Sequence, residues 1–210
     1  MLKFYHCPWS RSFSIFWLLE ELGQPYEMEL VDVRASGGAP ENYRAIQPSK
    51  KVPAIVRDGV VVTERAAIAL YLGDAFLEAG LAPAIGDRDR AAYLTAMVYC
   101  DSVFDPAVAA RAHGLEYQSR DYSFGLFDDM VAYVERMLSR QPYAAGDRFT
   151  AADTQLASAI GFTMGIMNML PEKPAFVDYL ARTSTRPAYQ RVQARDAELA
   201  KRVTPLPNFR

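Results

Sequence analysis

The 210-residue sequence predicts a small mixed α/β unit over about the first 76 residues and an all-helical unit after it. Three observations carry that prediction. Two short apolar runs, Ala54 to Arg57 and Val60 to Thr63, flank Asp58-Gly59, a dipeptide suited to the φ > 0 positions of a two-residue hairpin turn. Apolar alternation at Leu2 to His6 is followed by helical spacing and then by a second strand-like run, the order of a β-α-β crossover. Beyond Phe76 no strand-like alternation recurs.

Leu2 to His6 reads as the first strand. Pro8-Trp9-Ser10 breaks it, and Phe13, Phe16, Trp17, Leu19 and Leu22 follow at helical spacing, closed by Gly23 in the position of a C-cap glycine. Tyr26 to Val33 reads as the second strand, Arg34 to Pro40 as a loop, and Glu41 to Ile46 as a brief helix at best. Pro53 has no N–H for a ladder, so it belongs at the first residue of its strand. Thr63-Glu64 opens a periodic apolar run (Ala67, Ile68, Tyr71, Leu72, Ala75) with Thr63 placed to cap it. The first strands must run parallel, with the hairpin added antiparallel. Leu77 to Gly86, with Gly80, Pro83 and Gly86, reads as a linker. Helices are predicted over Asp87 to Ala112, Ser123 to Leu138, Thr150 to Met169, Pro174 to Thr183 and Arg186 to Lys201. Pro106 should kink the first of these, and Thr204 to Pro207 is extended.

Half the residues are apolar, 23% are charged and the net charge is -2, a globular composition without the basic run of a nucleic-acid surface. Cys7 and Cys100 are too few for a disulfide framework, which favours a reducing compartment. A strand starting at Leu2 leaves no room for a signal peptide, and no apolar stretch is long enough to span a bilayer. The expected setting is cytoplasmic, with no membrane and no nucleic acid as partner. His6 and His113 are isolated, in core or surface roles, and no spacing suggests a metal.

The densest chemistry lies around the hairpin. Backbone N–H and C=O groups at the Val52-Pro53 corner stand beside a helix start that attracts carboxylates, together a pocket for a small anionic peptide. Val52-Pro53 before a hairpin, Thr63-Glu64 opening a helix, and the β-α-β start together resemble the thioredoxin-like half of the glutathione transferase family. Leu18-Leu19-Glu20-Glu21-Leu22-Gly23 is similar to the end of that family's first helix, and the helical half looks like its C-terminal domain. The likeness covers essentially the whole chain and is nearest to bacterial members whose first loop reads proline, any residue, serine. It rests on the order and spacing of the motifs, since Val-Pro or Thr-Glu alone recurs by chance.

The resemblance implies an α/β thioredoxin-like glutathione-binding domain over residues 1-77 and an all-α helical domain over 87-210, with glutathione as co-substrate, a small-molecule electrophile, a homodimer and a detoxification role. Pro53 would be cis, aiming the Val52 backbone at the cysteinyl part of glutathione. Glu64 and Arg65 would hold the γ-glutamyl end at the helix N-terminus. The family commonly has serine where Arg65 stands, so Arg65 is retained as a main-chain ligand with its side chain left open. Lys50 or Lys51 would meet the glycine carboxylate, and only one of two adjacent lysines can reach. Solvated surface charge is the competing reading for either. Asp101, on a helical stripe with Leu94, Met97, Val98 and Asp105, would reach the α-amino group of glutathione in the other subunit if it faces the dimer cleft; a solvated cleft edge is the alternative.

A free thiol has a pKa of about 8.5, so the sulfur must be stabilised as an anion. Ser10, two residues past Pro8, is the candidate hydroxyl by the resemblance, against an N-cap serine that only satisfies a backbone donor. Arg11 is the reserve. Cys7-Pro8-Trp9-Ser10 also resembles the Cys-Pro-x-Ser/Cys loop of glutaredoxins and omega-like transferases, where the first cysteine forms a mixed disulfide and a helix N-terminus lowers its pKa. Counting back from Gly23 places Ser10 nearer the helix start than Cys7, which otherwise ends a strand as a small apolar residue. Three functions follow: a glutathione transferase, a glutathione-dependent thiol-disulfide reductase working through Cys7, and a non-catalytic binding protein on the same fold. In the helical half, Tyr99, Phe104, Arg111, His113 and Tyr117 are a candidate neighbourhood for the electrophile, and Thr150 with Asp153 fits a capping box.

Overall fold

Alternation in the first strand sorts its side chains onto two faces. In the computed structural model, which describes residues 1–207, β1 (Leu2–His6) turns Phe4 and His6 toward the rings of Phe16, and Tyr5 to the other face against Tyr43. β1 pairs in parallel with β2 (Glu27–Leu30) and antiparallel with β3 (Ala54–Arg57), which pairs antiparallel with β4 (Val60–Thr63), giving the sheet order β2-β1-β3-β4. The hairpin register places Arg57 opposite Val60, and the turn residues Asp58 and Gly59 take φ 52° and 84°, the left-handed pair this two-residue turn requires. β2 is shorter than predicted: its paired register with β1 covers Glu27–Leu30, and the Val31 N–H adds one further bond to the His6 carbonyl at 2.8 Å.

α1 (Phe13–Leu22) ends on Gly23 at φ 64°, whose N–H reaches the Leu19 carbonyl, as its sequence predicts. α2 (Arg65–Ala75) departs from prediction at its start. Thr63 stays in β4, and Glu64 takes the capping position at φ 66° because the chain turns from strand to helix at that single residue. The face of the sheet away from α1 is covered by Val31, Ala39 and Tyr43, the last from a 3-10 turn over Glu41–Ala45.

Contacts divide the chain into two units, Met1–Phe76 with the stretch from Thr185 onward, and Leu77–Ser184. The last helix, α8 (Pro187–Ala200), which sequence reading grouped with the helical half, packs on α1. Tyr189 lies 4.8 Å from the Trp17 ring, and Arg186 forms two charged hydrogen bonds to Glu21 at 2.6 and 2.7 Å.

The second unit is helical throughout its regular structure. Its predicted first helix is divided: α3 (Arg90–Tyr99) passes through a π-helical turn at Cys100–Phe104 into α4 (Asp105–Ala112). Pro106 lacks an N–H, and the wide turn ahead of it absorbs the break where a kink was predicted. α5 (Phe127–Leu138) begins later than predicted, and α6 (Ala151–Gly161) also runs into a π-helical turn, Phe162–Ile166, ahead of α7 (Pro174–Ser184). Thr150 and Asp153 form the predicted capping box. Buried Asp153 accepts four hydrogen bonds: Ala144 N–H and Tyr179 O–H on one oxygen at 2.7 and 2.9 Å, and Thr150 N–H and Oγ1 on the other at 2.7 and 3.2 Å. No helix among the described residues is long and apolar enough to cross a membrane.

Candidate active site

The loop from Cys7 to Ser12 leads into α1, and its geometry is set by hydrogen bonds from distant parts of the chain. Trp9 sits at φ 58°, unusual for a bulky residue. Its N–H donates to Asp196 Oδ2 at 3.0 Å, and the neighbouring Pro8 carbonyl accepts from Arg34 Nη2 at 3.0 Å. Arg34 Nε in turn donates to the Thr204 carbonyl, while Asp32 accepts from the N–H and hydroxyl of Thr204.

Ser10 is half-buried, and α1 begins three residues later with Ser12 in its capping position. Ser10 is therefore not the N-cap, although its oxygen does accept the Ser12 N–H at 3.2 Å. The Ser10 hydroxyl lies 2.7 Å from the Cys7 carbonyl and 2.8 Å from Ser12 Oγ. Ser12 Oγ lies 2.8 Å from His6 Nδ1, and His6 Nε2 lies 2.7 Å from Asp196 Oδ1. Arg11 is exposed.

Cys7 has no solvent exposure, and burial pushes its thiol pKa up. The lowered pKa expected of a redox thiol is not found, because the cysteine, one residue past β1, is buried inside the unit. His6 is likewise fully buried, and desolvation lowers its pKa against the pull of Asp196. An unfolded histidine takes a proton near pH 6.5. Native His6 resists protonation there, so its contribution to stability is present above about pH 6.5 and is lost as pH falls through the native value. Urea midpoints for wild type and His6→Gln between pH 7.5 and 5 test this. Relative to the variant, the wild type should lose stability toward acid over this interval.

At the hairpin, the Val52-Pro53 bond is cis. Paired register on β3 begins at Ala54, so Val52 lies outside the ladders. Lys50 forms an ion pair with Glu41 at 3.1 Å, whereas Lys51 is exposed and its N–H donates to Gln47 Oε1 at 3.3 Å. Gln47 Nε2 reaches the exposed Glu64 at 3.3 Å. Arg65 is only 4% exposed, so its guanidinium is turned into the protein. The other predicted ligand, Asp101, lies half-buried in the π-helical turn of the second unit. There Leu94 and Val98 are exposed and Met97 is buried, so the predicted stripe does not share one environment. Of the electrophile neighbourhood, Phe104 is buried core, and Tyr117 joins Tyr122 and Phe124 in a ring cluster.

Sequence reading passed over Ser12 and Asp196 and left His6 as an isolated core or surface residue. The serine pair at 10 and 12 is a local signal for the first. Nothing in the sequence marks Asp196 as a partner of His6, 190 positions away. Among the described residues no group of three or more His, Cys, Asp or Glu side chains is placed to hold a metal.

Residues 6–75 match the family model described as the glutathione S-transferase N-terminal domain. The chain is 31% identical over 178 residues to glutathione S-transferase 3 of Schizosaccharomyces pombe, a match covering 76% of this chain and 73% of that protein. Among solved structures it is similar to a glutathione transferase from Methylococcus capsulatus, with a TM-score of 0.77, 27% identity, and coverage of 94% of this chain and 100% of that one. It is also similar to a sphingomonad glutathione S-transferase complexed with glutathione, with a TM-score of 0.75, 27% identity, and coverage of 93% and 98%. With a matching N-terminal domain and a relative of this identity across most of both chains, the protein belongs to the glutathione S-transferase family.

Proposed function

We propose that the protein binds glutathione on its N-terminal unit and uses the Ser10 hydroxyl to stabilise the thiolate that attacks a small apolar electrophile. The observation that carries this reading is the half-buried Ser10 hydroxyl, fixed just ahead of α1 by hydrogen bonds on both sides. The main chain of Val52 holds the cysteinyl part of the peptide. The N-terminus of α2 receives the γ-glutamyl carboxylate through the main chain at Glu64 and Arg65, since the Arg65 side chain is buried. Lys51, exposed where Lys50 is committed to Glu41, faces the glycine carboxylate. Arg11 is the secondary donor to the sulfur. Calorimetry with glutathione tests the reading: millimolar or tighter binding is expected, and no heat at millimolar peptide leaves only the non-catalytic binding protein.

The reductase reading through Cys7 has less support, given a thiol with no exposure and a raised pKa. Cys7→Ala should keep conjugating activity and glutathione affinity. Loss of a disulfide-reducing activity in that variant, with conjugation retained, would establish two separate chemistries.

The homodimer is part of the same proposal. Leu94 and Val98 lie exposed on α3, and Asp101 follows within a turn, an apolar face beside an acid suited to a second copy and to the α-amino group of its glutathione. Electrophile contacts come from around Tyr117, and a detoxifying conjugation in a reducing cytoplasm suits two cysteines that form no disulfide.

A further inference from the structure

The shortest contacts from Ser10 inward favour one direction, although Ser12 Oγ also accepts the Cys7 N–H at 3.2 Å and has the Cys7 carbonyl as a longer acceptor at 3.1 Å. Asp196, as a carboxylate, only accepts, so His6 Nε2 carries the proton of the 2.7 Å bond to Oδ1. The neutral imidazole then presents Nδ1 as an acceptor, and the Ser12 hydroxyl donates to it across 2.8 Å. Having spent its one proton, Ser12 Oγ accepts from the Ser10 hydroxyl, also at 2.8 Å. Ser10 has its alternative acceptor in the Cys7 carbonyl at 2.7 Å, which is also inward. In the resting protein the Ser10 hydroxyl therefore points into the unit and turns a lone pair outward, the wrong way round to donate to a thiolate.

We propose that Ser12, His6 and Asp196 form a buried proton wire that takes the glutathione thiol proton through Ser10. This deepens the Ser10 reading and rests on it. The S–H bond breaks and its proton bonds to Ser10 Oγ. The former Ser10 proton passes to Ser12 Oγ, and the former Ser12 proton passes to His6 Nδ1. Each hydroxyl ends with one proton, the sulfur keeps the electron pair, and the products are a thiolate and an imidazolium. The same shift reverses each hydrogen bond between the sulfur and His6, so that Ser10 now donates to the sulfur, Ser12 to Ser10, and His6 Nδ1 to Ser12, while His6 Nε2 goes on donating to Asp196. His6, Ser12 and Asp196 are positioning residues that act on the sulfur only through Ser10.

The groups bearing on His6 are Asp196 and Arg195 from α8 and Arg34 beyond β2, with the rings of Phe4 and Phe16 on its apolar sides. Asp196 favours the imidazolium, and both arginines oppose it. Desolvation first, and the two arginines after it, keep His6 neutral at rest, and the new thiolate at the outer end supplies a second countercharge only after transfer.

The test is a proton count. Thiolate absorbance and proton release to a weak buffer with indicator dye are measured together at pH 7 on saturation with glutathione, with S-methylglutathione, which has no thiol proton, as the subtracted blank. The wild type should form thiolate while releasing almost no proton. Ser12→Ala cuts the wire, and should show about tenfold less thiolate at pH 7 and release close to one proton for each thiolate that forms on raising the pH. Asp196→Asn, read in the same way, covers the case in which Ser12→Ala does not fold. A wild type that releases one proton per thiolate overturns the wire and leaves the Ser10 reading standing. Thiolate formation that is absent in wild type, or unchanged in Ser10→Ala, overturns the Ser10 reading itself.

Discussion

Ser10→Ala is expected to lower kcat for conjugation by about 100- to 1,000-fold, the effect of removing one positioned donor from a developing anion. Glutathione affinity should change by less than about tenfold, because the contacts proposed for the peptide, the main chain at Val52 and the start of α2, are not touched by the substitution. Folding should survive. The hydroxyl accepts one backbone N–H, from Ser12, and does not occupy the capping position of α1. Steady-state kinetics with a chromogenic aryl halide, alongside calorimetry, separates the outcomes. A rise in KM with kcat unchanged would mean that Ser10 contributes binding rather than anion stabilisation, and full activity would pass its role to Arg11.

Asp153→Ala carries the largest expected effect on stability. Two backbone N–H groups and two hydroxyls converge on one carboxylate with no solvent exposure. Alanine leaves Ala144 N–H and Thr150 N–H buried without acceptors, each costing about 1–3 kcal/mol, so a loss of about 3–5 kcal/mol is expected. Asp153→Asn should fall between, because an amide nitrogen must face one pair of donors. Urea unfolding is the measurement, with a lowered midpoint and an unchanged slope. Burial raises the Asp153 pKa to about 6 against the pull of its four donors. The native carboxyl thus holds a proton that the unfolded chain releases near pH 4, and this group's contribution to stability falls as pH rises from about 4 to about 6. The alanine variant lacks that slope. His6 acts in the opposite direction, so the two groups are told apart by which variant flattens which limb.

The features legible in the sequence are those fixed within a turn or two of chain. Asp58-Gly59 dictates its hairpin, Gly23 ends its helix, and Thr150 with Asp153 declares a capping box, each through contacts between near neighbours. Misreadings occur where a larger constraint overrides the local pattern. Thr63 looks like a cap by residue type, but the corner between strand and helix falls on Glu64. Helical periodicity runs on through Cys100–Phe104, where the backbone spends an extra residue per turn. In the proposed site, the cis Val52-Pro53 bond follows from a motif and Ser10 is singled out by one, whereas His6 gains its partner only from a side chain at the opposite end of the chain.

That last pairing bears on how the protein is made. The unit that begins at Met1 is discontinuous, and His6 has no Asp196 until the ribosome has added 190 more residues. At ordinary rates of chain synthesis this is a wait of roughly 10 to 40 seconds. The nascent sheet must pass that interval with the loop before its first helix lacking its Asp196 contacts, so the surroundings of Trp9 and His6 are completed late.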